Sequence, residues 1–70
     1  EGRPEDAATV ARQALVQLPD DASAHARLGY ALMLLERHEP AETNLRKAIE
    51  LDPTLVTPRM HLGDLLSLRG

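Results

Sequence analysis

Cysteine, tryptophan and phenylalanine are all missing from this chain of 70 residues, and tyrosine occurs once. Without cysteine there is neither a disulfide to staple a small fold nor a thiolate zinc site. The same absence suits a reducing or an oxidising compartment, so localisation stays open, with the cytoplasm favoured. Below about 80 residues, a core lacking staples needs oligomerisation or unusually regular helix packing to outweigh chain entropy. Positive charge is scarce as well. The formal net charge is -3 and the pI near 5.5, and Arg46-Lys47 is the only adjacent basic pair. Phosphate binding needs clustered Lys and Arg, so no nucleic-acid partner is expected. The longest apolar run, Tyr30 to Leu35, falls far short of the roughly 20 residues a bilayer requires, so no membrane partner is expected either. The chain opens on Glu1 with no charged-then-apolar leader. It reads as an excised fragment, with any targeting segment lying outside it.

What is present is a repeat. Shifted by 34 residues against itself, the sequence pairs Arg3 with Arg37, Glu5 with Glu39, Ala7 with Ala41, Thr9 with Thr43, Arg12 with Arg46 and Ala14 with Ala48. Pro19 then meets Pro53, Leu28 meets Leu62, Gly29 meets Gly63, Leu32 meets Leu66 and Leu34 meets Leu68. These are eleven identities over the 36 overlapping pairs, against roughly three or four expected from so Leu- and Ala-rich a composition, and 34 is a solenoid period.

Within one period the apolar spacing is helical: Leu28, Leu32 and Leu35 form one stripe, and Ala41, Leu45, Ala48 and Ile49 another. Arg37-His38-Glu39-Pro40 interrupts the pattern, and Pro40 suits the first turn of a new helix. Pro19 and Pro53 push the residues before them out of the helical region. The spacing predicts four helices, at about 5 to 17, 22 to 36, 39 to 51 and 56 to 69. Asp20 and Asp21 offer N-cap oxygens to the second, and Thr54 or Thr57 to the fourth, with Pro58 in its first turn. Gly29, Ala41 and Ala48 are expected at helix crossings, where small residues let backbones approach while Leu28, Leu32 and Leu45 fill the remaining space.

Ala22 to Thr54 resembles one complete tetratricopeptide repeat, through Leu28-Gly29, Leu32, Ala41, Leu45, Ala48 and Asp52-Pro53 at matching spacing. The resemblance implies an all-α, right-handed α-α superhelix of four antiparallel helices. It implies a single unit over 1–70: the second helix of a repeat in 1–19, a complete repeat in 22–54, and a following first helix in 56–70. Large aromatics are common in the family, whereas His25, Leu32, His38 and Leu45 stand at such positions here.

In that family the first helices line a concave groove that binds extended peptides. Position by position, this nominates Ser23, Ala26, Tyr30, Met33 and Leu34, then Thr57, Met60, Asp64, Ser67 and Leu68 as ligand-binding, with Tyr30 foremost. Relatives that clamp carboxylates use Lys, Arg and Asn on this face. Ala26, Tyr30, Met60 and Asp64 offer no such clamp, so the groove is expected to be apolar with an acidic spot at Asp64, suited to an apolar or mildly basic peptide. Met33 and Met60 read as gap-fillers at least as well as contacts.

No two of His25, His38 and His61 lie three or four residues apart, which speaks against a metal site; a half-buried His25 and two solvated histidines are expected. Glu36, Glu39 and Glu42 read as solvated charge. No phosphate loop, nucleophile elbow or apolar carboxylate pair occurs, so no catalytic residue, no cofactor and no enzyme activity is expected. The leading expectation is a non-catalytic module that binds a protein or peptide segment. The competing roles are a self-assembly or spacer segment, with a homo-oligomer formed through exposed terminal helices, and a scaffold appended to an enzyme domain outside this chain. The outer stripe Leu62, Leu65, Leu66 and Leu68 motivates the self-assembly reading.

Overall fold

A computed structural model describes residues 3–69. Glu1, Gly2 and Gly70, the outermost residues of the expected 1–70 unit, lie outside the described residues. Four helices follow one another: α1 Pro4–Gln17, α2 Ala22–Leu34, α3 His38–Leu51 and α4 Val56–Leu68. The fold is all-α, with no strand among the described residues.

The helix boundaries have local causes. Pro4 opens α1, where its missing N–H costs nothing. Asp21 caps α2 by accepting from the Ala24 N–H at 3.3 Å. Neither threonine caps α4, however. Its N-cap is Leu55, without a side-chain cap bond. Thr54 is instead drawn back to Asp52, whose Oδ1 accepts from its N–H at 3.1 Å and its hydroxyl at 2.6 Å. That local turn competes with capping for the same side chain.

The α2 terminus ends two residues earlier than the spacing suggests. Glu36 adopts φ 62°, its N–H donates to Met33 O at 3.0 Å and the Arg37 N–H donates to Leu32 O at 2.9 Å. This bond pair is a Schellman motif, which needs a left-handed residue at the position usually held by glycine.

Short connections fold neighbouring helices back on one another. Helix α2 touches all three others, α3 touches α2 and α4, and α1 touches α2 alone. The core gathers Ala8 and Ala11 from α1, Leu28, Ala31 and Leu32 from α2, Ala41 and Leu45 from α3, and Leu65 from α4. Half of these are alanines, so helix axes can come close, and three leucines (Leu32, Leu45, Leu65) are completely enclosed. Gly29 shows how close. A Cβ built there would stand 2.7 Å from Leu45 Cγ, 2.8 Å from its Cδ2 and 3.2 Å from Ala41 O.

Leu65 corrects the expected outer stripe. With Pro58 it forms the buried side of α4, whereas Leu66 and Leu68 are 43% and 68% exposed. Residues 58, 61, 62 and 65 share one face at helical spacing, and that face looks inward. Glu42 is a second correction. It accepts from Arg46 Nε at 2.8 Å and from Arg69, tying α3 to the end of α4.

Candidate functional site: the cleft between α2 and α4

Helices α2 and α4 are both first helices in the 34-residue register, and they meet along one side of the molecule. Between them lies a cleft of about 270 Å³, walled by Ser23, Ala26, Arg27 and Tyr30 from α2 and by Leu55, Thr57, Pro58 and His61 from the start of α4. The α2 residues recur at positions 23, 26, 27 and 30, so a single helix face supplies one wall. Pro58 lies in the first turn of α4 and is buried, where it gives the other wall a rigid base.

The Tyr30 and His61 rings stack across the cleft, with centroids 4.1 Å apart and planes 16° from parallel. Such a pair contributes about 0.5–1.5 kcal/mol beyond the area it buries. Tyr30 nevertheless remains 40% exposed, so one face packs on a neighbouring helix and the rest is open. His61 is not solvated as expected: it is half-buried, and its Nδ1 is enclosed without a hydrogen-bond partner among the described residues. The cause is its place on the inward stripe with Pro58 and Leu65. His38 is also half-buried, at the start of α3.

Of the nominated residues, the cleft brings together Ser23, Ala26, Tyr30 and Thr57. Ala26 lies buried in its floor. Met33 is half-buried and packs against the core. Leu34, Met60, Asp64, Ser67 and Leu68 are exposed beyond the cleft. The acidic spot at Asp64 is therefore not part of this wall. The charged wall residue is Arg27, an exposed cation with no ion pair among the described residues. Its spacing from Ser23, four residues, would have pointed to it. His25, half-buried as expected, faces elsewhere: Nδ1 lies 3.0 Å from Asn44 Oδ1 and Nε2 2.9 Å from Pro19 O, so it pins the α1–α2 turn to α3.

Both shifted carboxyl groups also stand away from the cleft. Hydrogen bonding from Arg46, then the charges of Arg46 and Arg69, holds Glu42 below its ordinary 4.5. The Thr54 hydroxyl and N–H hold Asp52 below 3.8. No group of three or more metal-ligating side chains occurs among the described residues. No helix among them is long and apolar enough to cross a membrane.

Comparison with known proteins places this architecture. No curated protein and no solved structure gives a significant match. The family model of the tetratricopeptide repeat matches residues 22–55, the stretch that contains α2, the close approach of Gly29 to Leu45, α3 and the Asp52-Pro53 turn. Residues 22–55 therefore form a tetratricopeptide repeat, and the same helix pattern recurs at a 34-residue period on either side of that stretch.

Proposed function

We propose that this chain is a docking module that seats a segment of a partner protein in the cleft between α2 and α4. Tetratricopeptide repeats generally mediate protein–protein interaction. The observation that carries the finer reading is the half-open Tyr30 ring, stacked on His61 at the mouth of an apolar cleft with Arg27 on its wall. An aromatic held by a stack loses little freedom on binding, so contact with it favours association at low entropic cost. A volume near 270 Å³ suits one or two apolar side chains, and Arg27 adds a site for a neighbouring carboxylate. The occupant is thus an apolar segment with an acidic residue beside its anchor, rather than a basic one.

The test is selection of peptides from a random library on the immobilised chain, followed by titration of the winners against Tyr30→Ala and Arg27→Glu. Each substitution should weaken binding about tenfold or more, equivalent to about 1.4 kcal/mol. NMR shift changes should centre on positions 26, 30, 57 and 61. Peptides that bind both variants as tightly as the parent, or that perturb only α1 and α3, would refute the assignment.

A further inference from the structure

Both atoms that the His25 ring reaches are hydrogen-bond acceptors. Nδ1 lies 3.0 Å from Asn44 Oδ1, and Nε2 lies 2.9 Å from Pro19 O. A backbone carbonyl can only accept. The Asn44 amide has a donor of its own, but that nitrogen donates to Pro40 O at 2.9 Å. Turned over, the amide would set Oδ1 against the Pro40 carbonyl, acceptor facing acceptor. A neutral imidazole carries one N–H, so it satisfies one partner and points a bare lone pair at the other. The imidazolium carries two and donates to both. The set of bonds is complete only with a second proton on the ring.

The charges on the surrounding elements suit that proton. Asp20 and Asp21 follow Pro19 in the α1–α2 turn, and neither forms an ion pair among the described residues. The last turn of α1, residues 14–17, has no charged side chain. On α3 the charged residue one turn from Asn44 is Lys47, which is engaged with Glu50 at 3.7 Å. Arg27, the nearest cation along α2, walls the cleft that α4 shares with residues 23, 26 and 30.

We propose that His25 and Asn44 form a proton-operated latch between the α1–α2 turn and α3. With the ring doubly protonated, one side chain on α2 holds the turn through Pro19 O and α3 through Asn44 Oδ1. With the ring neutral, one of the two ties is released or the Asn44 amide must give up Pro40. Helix α1 touches no helix but α2, so this latch joins the turn at its C-terminal end to a second element. The sign follows from the bond count. The protonated ring makes one more native bond than the neutral ring, and the unfolded ring makes neither. Acidification through the region of about pH 6.5, where a histidine ordinarily titrates, therefore adds stability, and raising the pH removes it.

Urea unfolding of the parent and of Asn44→Ala, at pH 8 and at pH 6, tests this. His38 and His61 are present in both chains, so comparing the two cancels their titration. Relative to Asn44→Ala, the parent's unfolding constant should fall about tenfold between pH 8 and pH 6, the worth of one added bond from a charged donor. Asn44→Asp, which keeps an acceptor at this place, should bring the pH dependence back, and in His25→Gln the Asn44→Ala substitution should cost the same at both pH values. Nitrogen NMR of the folded parent supplies a second readout: as the pH falls, both His25 ring nitrogens should become protonated while the Asn44 side-chain amide shifts with the same midpoint. A parent-to-Asn44→Ala ratio that stays level or moves the other way overturns the proposal, as does an Asn44 amide that ignores the titration of His25. Pro19, His25 and Asn44 all lie outside the α2–α4 cleft, so these outcomes are independent of the peptide-docking reading.

Discussion

Replacing Gly29 and, separately, Gly63 with alanine should move stability in opposite directions, although the two glycines are one period apart in the same register. In both places the substitution gains about 1 kcal/mol, because glycine is the poorer helix former. At Gly63 nothing opposes that gain, since a Cβ meets no atom within 4 Å. At Gly29 the new methyl would stand 2.7 Å from Leu45 Cγ. Carbon pairs prefer about 3.5–4.0 Å, so the leucine must retreat by roughly 1 Å. Leu45 has no exposed surface at all, and its Cγ is a branch point rather than a flexible tip. Overpacking of this kind costs about 1–3 kcal/mol, which outweighs the helical gain at the upper end and cancels it at the lower. We expect Gly29→Ala to be destabilised by about 1 kcal/mol and Gly63→Ala to be stabilised by about the same. A domain of this size shifts its melting temperature by about 4–8 °C per kcal/mol, so the two variants should melt roughly 10 °C apart, on either side of the parent. Thermal melts followed by circular dichroism at 222 nm measure this. A Gly29→Ala variant that melts at or above Gly63→Ala would refute the close approach of α2 and α3 as the organising contact.

Glu36→Gly should raise stability by about 0.5–1 kcal/mol, because an L residue is held at φ 62° in the α2 terminus; a lower melting temperature would contradict this. Leu45→Ala should cost about 2–5 kcal/mol, much of the roughly 3–10 kcal/mol available to a chain of this length, and is checked by loss of a cooperative urea transition. In acid, the depressed carboxyls of Glu42 and Asp52 set the sign: their contribution is complete above about 4.5 and 3.8, the ordinary values, and is lost as pH falls through their lower folded values. Urea midpoints taken from about pH 5 downward should therefore fall, and Glu42→Gln should flatten the decline. Both groups are solvent-accessible, so added salt should weaken the effect for Glu42.

The four helices were legible because their signals are local. Pro4, Pro19, Pro40, Pro53 and Pro58 mark starts and stops, Asp21 caps, and Gly29 repeats at Gly63. Where the sequence misled, competition within a turn or a rotation of a helix decided the outcome. Thr54 looks like a cap until Asp52, two residues back, takes its hydroxyl. Leu62, Leu65, Leu66 and Leu68 read as one apolar stripe, but a helix cannot turn all four the same way, and the buried Pro58 fixes which side goes in. The site followed the same pattern. Tyr30 was visible as the only aromatic and Ser23 by its spacing, whereas its stacking on His61, 31 residues away, depends on how α4 is rotated against α2. Arg27 stands next to Ala26, a position that clamps carboxylates in the family, and the family pattern does not single it out.

Helix α1 is held by α2 alone, while α2, α3 and α4 each touch at least two others. Such one-sided attachment makes α1 the segment that can lift away while the remaining three stay packed. Its amides should be protected less than the global limit and so exchange faster, whereas those of α2 wait for the whole chain to open. An event that peels off α1 would uncover Ser23, Arg27 and Tyr30 from their α1 side, and the same three residues wall the cleft, so detachment of α1 and engagement at the Tyr30–His61 face act on one shared wall.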